Sequence, residues 1–175
     1  MVEADRGSLP FALVHGEPLV AAAAWAMGEA GVHLVDFGTD WEALVAEELP
    51  FVFHDSLCPL TPPEFLVACV EHAQAHSAIT VGVRPVTDTV KELRDGVIGD
   101  TVDRTALLQV VSPVVLPPAV VAALDGVPRG DFAELVAALA ERFPVATLEA
   151  PAQARRVADE SDVRVLEALT APQGP

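Results

Sequence analysis

The amino-acid sequence predicts an α/β sandwich carrying a β-hairpin arm, on three observations. Apolar runs of strand length recur between helical patterns, the signature of a parallel sheet with covering helices. The chain has 175 residues, 51% of them hydrophobic, enough for one sizeable core and too few for two comfortable ones. Between about 85 and 112 the pattern switches to alternation around Asp95-Gly96, which predicts a hairpin that buries one face against something outside its own domain. A single domain over 1–175 with an arm at about 85–112 is the expected organisation.

The first helix runs from Glu17 to about Ala30, with Pro18 in its first turn and Gly31 closing it. A strand follows at Val32–Phe37, then a short helix to about Glu48 opened by the capping-box spacing of Thr39 and Glu42. Pro50–His54 reads as a strand leading into the polar loop Asp55–Pro59, and Thr61 with Glu64 repeats the capping spacing for a helix to about His76. Ala78–Val83 is a buried strand. Val86–Lys91 and Val97–Val102 form the hairpin, with Val86, Val90, Val97, Ile98 and Val102 as its apolar face. A strand at Val110–Leu116, helices at about Pro117–Asp125 and Asp131–Arg142, a strand at Val145–Leu148 and a helix near Glu160–Leu169 complete the pattern, with a loose tail at Thr170–Pro175.

Composition excludes several function classes. A net charge of −16 repels polyanions, the one lysine is Lys91, and Arg155-Arg156 is the only adjacent basic pair, so neither nucleic acid nor an anionic membrane surface is an expected partner. Apolar stretches are broken well before the roughly 18 residues of a membrane span. The acidic start, Met1-Val2-Glu3-Ala4-Asp5-Arg6, lacks the basic region of a secretory signal, and the expected location is cytoplasmic. Cys58 and Cys69 have no metal-ligand spacing and are expected to be free thiols.

Several short motifs, taken in order, match one family. Phe51-Val52-Phe53-His54-Asp55-Ser56-Leu57-Cys58-Pro59 is similar to V-L-V-H-D-A-A-R-P, and Pro85-Val86-Thr87-Asp88-Thr89-Val90-Lys91 resembles P-V-x-D-T-[VM]-K. Thr101-Val102-Asp103-Arg104, then Leu107 and Ser112-Pro113, resembles T-V-D-R-x-x-L…T-P-Q, while Gly16-Glu17-Pro18-Leu19-Val20 is similar to G-x-P-[LM]-[LI]. Over about residues 9 to 169 the chain therefore resembles the 2-C-methyl-D-erythritol 4-phosphate cytidylyltransferases. The resemblance implies a Rossmann-like nucleotidyltransferase sandwich with the hairpin as a dimerisation arm. It also implies transfer of a cytidylyl group to a sugar-alcohol phosphate, chemistry that needs backbone N–H groups, Mg²⁺ and cationic side chains around the triphosphate.

The sequence departs from that pattern where the nucleotide is held. The family's N-terminal strand and glycine-rich loop have no counterpart before Gly16, so the domain reads as shortened at the N-terminus. Leu9 stands at the position of a phosphate-binding lysine, and the G-G-x-x-R-x-x-S-V segment is missing between Val35 and Phe51. Cys58 replaces an arginine, Gly130-Asp131 replaces T-D, and Ala154-Arg155-Arg156-Val157 replaces N-I-K-[VI]. The residues that survive by resemblance are Asp55, as metal- and cytidine-proximal carboxylate, Thr89 and Arg104 on the arm, which in the family reach the partner's site, and Arg156 in place of the late lysine. Against these stand plainer expectations: Asp55 as a turn residue, Arg104 with Asp88 and Asp103 as internal pairs of the arm, His54 as a satisfied strand-end histidine, and His72 with His76 as solvated surface. The expected function is a non-catalytic relative acting as a dimeric interaction or regulatory protein with no cofactor, forming a homodimer or a mixed dimer with an active cytidylyltransferase. The alternatives are residual or altered cytidylyl transfer with Mg²⁺, and a sensor of a small phosphorylated metabolite.

Overall fold

The computed structural model describes residues 7–36 and 38–171. In chain order the elements are β1 (Leu13–Val14), β2 (Glu17–Pro18), α1 (Leu19–Glu29), α2 (Trp41–Ala46), β3 (Phe51–Phe53), α3 (Pro63–His76) and β4 (Ile79–Pro85). The second half adds β5 (Lys91–Arg94), β6 (Val97–Thr101), β7 (Leu108–Leu116), α4 (Pro118–Ala122), α5 (Phe132–Ala140), β8 (Val145–Glu149) and α6 (Glu160–Thr170).

The main sheet has the order β3-β7-β4-β8. It is mixed, not parallel as expected: β7 runs antiparallel to both β3 and β4, and only β4 and β8 are parallel. Hydrophobic runs reveal strands but not their direction, which depends on the connection between them. Here β4 leads into the arm and the chain returns as β7, so those two strands must oppose each other. Alternation along the strands then sends side chains to two cores. Ile79, Val81, Val114 and Leu116 pack with Val120, Val121, Phe132, Leu135 and Leu139 of α4 and α5, whereas Val115 faces Cys69 and Ala73 of α3. Leu66 of α3 in turn meets Ala26 and Met27 of α1. The result is a sheet with helices on both faces.

Several local expectations shift. Val32–Asp36 belongs to no strand, with Leu34 and Val35 exposed, because an apolar run becomes a strand only where a sheet edge receives it. Phe37 lies outside the described residues. Glu17 and Pro18 pair with Val14 and Leu13 before α1 begins, and Gly31 closes α1 at φ 72 as expected. Asp40, not Thr39, caps α2 by accepting from the Glu42 N–H. Thr61 caps nothing: its hydroxyl donates to the Cys58 carbonyl, and Pro62 precedes α3 without a side-chain cap. Thr170, expected in a loose tail, is the last residue of α6, where its hydroxyl donates to the Leu166 carbonyl; residues 172–175 lie outside the described ones.

The hairpin is present but shorter. Its paired strands are β5 and β6, turning at Asp95 and Gly96 with φ of 51 and 79, the doubly positive geometry that an Asp-Gly turn supplies. Val86 to Val90 lies outside the ladder. Val86, Val90 and Val102 are half-buried at the base of the hairpin, where the Val102 N–H bonds the Val90 carbonyl. Val97 and Ile98 stand in solvent at its end, together with Leu93, which the sequence pattern had left out.

Candidate functional site

The site is built where β3 runs out. Asp55 follows β3 and is 3% exposed. Its carboxylate accepts from the Leu57 N–H at 2.8 Å, and its carbonyl accepts from the Cys58 N–H at 2.8 Å, so the turn expected from the sequence is real. The other carboxylate oxygen faces a second partner. The Val157 N–H donates to the Leu57 carbonyl at 2.7 Å, drawing the segment after the Ala152–Ala154 turn alongside this loop. That places Arg156 Nε 3.1 Å from Asp55 Oδ2, while Arg155 turns away to Asp162 at 2.9 Å. Two residues 101 positions apart in sequence are thus joined in one ion pair.

Behind Asp55 lies a buried polar corner. Ser112 Oγ accepts from the Asp55 N–H at 3.1 Å and sits 2.5 Å from His54 Nδ1. The Ser112 hydroxyl can donate to Nδ1 or accept from it, and in either tautomer Nε2 is buried without a hydrogen-bond partner among the described residues. His54 is thus held at Nδ1 and unpartnered at Nε2 among the described residues, and differs from the satisfied strand-end histidine expected. Burial lowers its pKa from 6.5 to about 4. Gly82 makes the corner possible: a Cβ there would stand 2.7 Å from the Ser112 carbonyl oxygen, so only glycine admits this approach of β4 to β7.

A cleft of about 160 Å³ opens beside Asp55 and Arg156 and is completed by Gln109, the Val110–Val111 stretch of β7 and the first turn of α5 at Asp131. Asp131 accepts from the Ala133 N–H at 2.9 Å, so this helix start is capped by its own chain. The cleft therefore holds two carboxylates and one guanidinium, and that guanidinium is already paired. Among the described residues no cluster of three or more His, Cys, Asp or Glu is placed to hold a metal ion.

The other expected site residues do not join the cleft. Thr89 is exposed in the irregular stretch before β5. Arg104 is exposed in a short helical turn and donates from Nη1 to the Thr87 carbonyl. Asp103 accepts from the N–H and hydroxyl of Thr105, which hold its carboxyl below the usual range. Both Asp103 and Arg104 are thus engaged within the arm, though by backbone and threonine contacts and not with each other. Sequence reasoning noticed Asp131 and Ser112 only as motif letters. The helix-capping position of Asp131 was legible, but its place in the cleft was not. A second, larger cleft of about 550 Å³ is apolar, lined by Val14, Ala21, Ala22, Trp25 and Leu60 with His15 and Glu17 at its rim.

The mixed sheet with helices on both faces defines an α/β sandwich of the Rossmann-like nucleotidyltransferase kind. Solved cytidylyltransferases for 2-C-methyl-D-erythritol 4-phosphate share it. That from Thermus thermophilus superposes with a TM-score of 0.66 over 93% of this chain and 94% of its own, at 24% identity. The 4-diphosphocytidyl-2C-methyl-D-erythritol synthase from Anaerococcus prevotii superposes with 0.67 over 93% of each chain, at 14% identity. Residues 38–127 match the family model described as 2-C-methyl-D-erythritol 4-phosphate cytidylyltransferase, and the chain belongs to that family. The enzyme of that name from Frankia casuarinae is 34% identical over 126 residues, 70% of this chain and 47% of its own length. That from Syntrophotalea carbinolica is 44% identical over 62 residues, 35% of this chain and 26% of its own. The chain thus spans less than half the length of these two relatives. No helix among the described residues is long and apolar enough to cross a membrane.

Proposed function

We propose that this chain is a non-catalytic, degenerate member of its family that acts as a dimeric interaction or regulatory protein. The observation that carries the reading is the charge balance of the cleft. Among the described residues Arg156 is the one cation lining it, Asp55 holds that cation at 3.1 Å, and Asp131 adds a second carboxylate. A triphosphate entering such a cleft meets two carboxylates against one paired guanidinium, and at the start of α5 the Asp131 carboxylate already takes the Ala133 N–H. Losing a single preorganised donor to a developing negative charge typically costs ~10²–10³ in rate, and Leu9, Cys58 and the segment missing between Val35 and Phe51 remove several. Calorimetric titration with CTP and Mg²⁺ is the test. No binding is expected at physiological nucleotide concentration, and micromolar affinity or cytidylyl product above background overturns the reading.

The arm supports the dimeric part of the proposal. Leu93, Val97 and Ile98 are 71%, 68% and 72% exposed, and a two-stranded hairpin with its apolar side chains in water is marginal by itself. A partner that buries them is a second copy or, in a mixed dimer, an active cytidylyltransferase. Arg104 and Thr89 would then be presented to the partner's site. Coexpression with an active family enzyme and tagged pull-down tests the mixed species, and Arg104→Ala should slow a recovered mixed dimer. Residual cytidylyl transfer and sensing of a phosphorylated metabolite are the rival outcomes of the same titrations.

A further inference from the structure

Helix α1 carries no polar side chain from Leu19 to Met27. A helix that is apolar all round is ordinarily buried all round, and only half of this one is. Leu19, Ala23, Ala26 and Met27 are buried, whereas Ala21 is exposed and Trp25 is 65% exposed. The outer face forms one wall of the larger cleft, about 550 Å³, which Val14 and Leu60 complete. The turn between β1 and β2 supplies its rim. His15 and Gly16 have φ of 50 and 86, the doubly positive pair of a tight two-residue turn, and this brings Glu17 back opposite Val14. The turn is fastened to α6 at two points: the His15 N–H donates to the Glu167 carboxylate at 2.8 Å, and His15 Nε2 lies 2.7 Å from the Thr170 hydroxyl. The cleft is therefore preformed, and its volume is that of a small-molecule site. Among the described residues Glu17 is its one carboxylate, no lysine or arginine lines it, and Glu17 has neither an ion pair nor a hydrogen-bond partner for its side chain.

We propose that this cleft binds an amphiphilic organic cation, an ammonium group on a hydrocarbon body. Three features attract the positive head. The Glu17 carboxylate accepts charge-assisted hydrogen bonds, the Trp25 ring presents the negative face of its quadrupole, and the net charge of −16 concentrates cations at the surface. An anion is repelled by all three. A neutral apolar molecule would fill the same walls but cover Glu17 without a partner, and an uncompensated carboxylate is costly to remove from water. The hydrocarbon body packs against Val14, Ala22, Leu60 and Trp25, where each buried methylene strengthens binding roughly two- to fourfold. The site shares no lining residue with the cleft beside Asp55 and does not depend on the function proposed for that cleft.

The test titrates the full chain calorimetrically at neutral pH with octylammonium chloride, 1-octanol and sodium octanoate, each below its aggregation concentration. One equivalent of octylammonium is expected, bound roughly tenfold or more tighter than 1-octanol, with octanoate weakest. Hexylammonium, two methylenes shorter, should bind roughly four- to sixteenfold more weakly than octylammonium. Glu17→Gln should lower octylammonium to the affinity of 1-octanol and leave the alcohol unchanged. Trp25→Ala should weaken both, and so should Ala21→Leu, which fills the cleft. Glu29→Gln removes a charge from the other end of α1, outside the cleft, and should bind as the parent does. All four positions are exposed, so these variants keep the fold. The proposal is overturned if octanoate or 1-octanol binds as tightly as octylammonium, if Glu17→Gln has no more effect than Glu29→Gln, or if Trp25→Ala binds as the parent does.

Discussion

Strand β7 passes through two environments. Its first residues, Leu108 and Gln109, are exposed, whereas Val111 to Leu116 are buried. The same contrast holds between the arm it leaves and the sheet it enters. Val81, Val114 and Leu116 are inaccessible to solvent while Leu93, Val97 and Ile98 stand largely in it, although the residue types are alike. In the body each apolar side chain is removed from water by helices of the same chain. In the arm the same surface is available only to another molecule. Stability is therefore intrinsic to the body and conditional in the arm, and substitutions in the two regions should differ in what they change.

The largest effect should come from the body. Leu116→Ala, which empties a site packed between α4, α5 and the sheet, is expected to cost about 2–5 kcal/mol of unfolding free energy, measured by chemical denaturation. A cost under about 1 kcal/mol would mean that the sheet is no better packed than the arm.

The buried corner should make the body, and not the arm, sensitive to acid. The pKa of His54 is lowered in the folded state from 6.5 to about 4, so between these values the unfolded chain binds more protons. Its contribution is fully present above about pH 6.5 and is lost as pH falls toward 4, to the extent of about 3 kcal/mol. His54→Leu should flatten that slope in denaturation measured from pH 7 to pH 4. An unchanged slope would place the acid sensitivity elsewhere.

Gly82→Ala should cost somewhat less, roughly 1–3 kcal/mol, because its Cβ meets the Ser112 carbonyl at 2.7 Å and the ring of Phe65 at 3.3 Å. Thermal melts of this variant beside Gly99→Ala sharpen the comparison. Gly99 lies in the arm, where a Cβ meets only Glu92 at 3.3 Å or more, and its substitution should shift the melt less.

The smallest effect on folding should come from charging the arm. With Val97→Asp and Ile98→Asp together, unfolding of the dilute chain should change by no more than about 0.5 kcal/mol, yet the mass by sedimentation at micromolar concentration should fall from dimer to monomer. A parent that already sediments as a monomer removes the dimer from the proposed function.

Much of the fold was legible in the sequence because it rests on local chemistry. Asp95-Gly96 marks a turn with two positive φ angles, Gly31 ends α1, and largely apolar runs mark β4, β7 and β8. The family is legible for the same reason, since short motifs such as Pro85–Lys91 and Thr101–Arg104 are contiguous. What the tertiary structure alone decided involves residues distant along the chain. The direction of β7 follows from where the arm returns, and Val32–Asp36 stays outside the sheet because no edge receives it. Asp55 meets Arg156 because a backbone bond from Val157 to Leu57 aligns two loops. Periodicity and propensity report what a segment can become, whereas pairing and charge compensation depend on which segments the folded chain brings within a few ångströms.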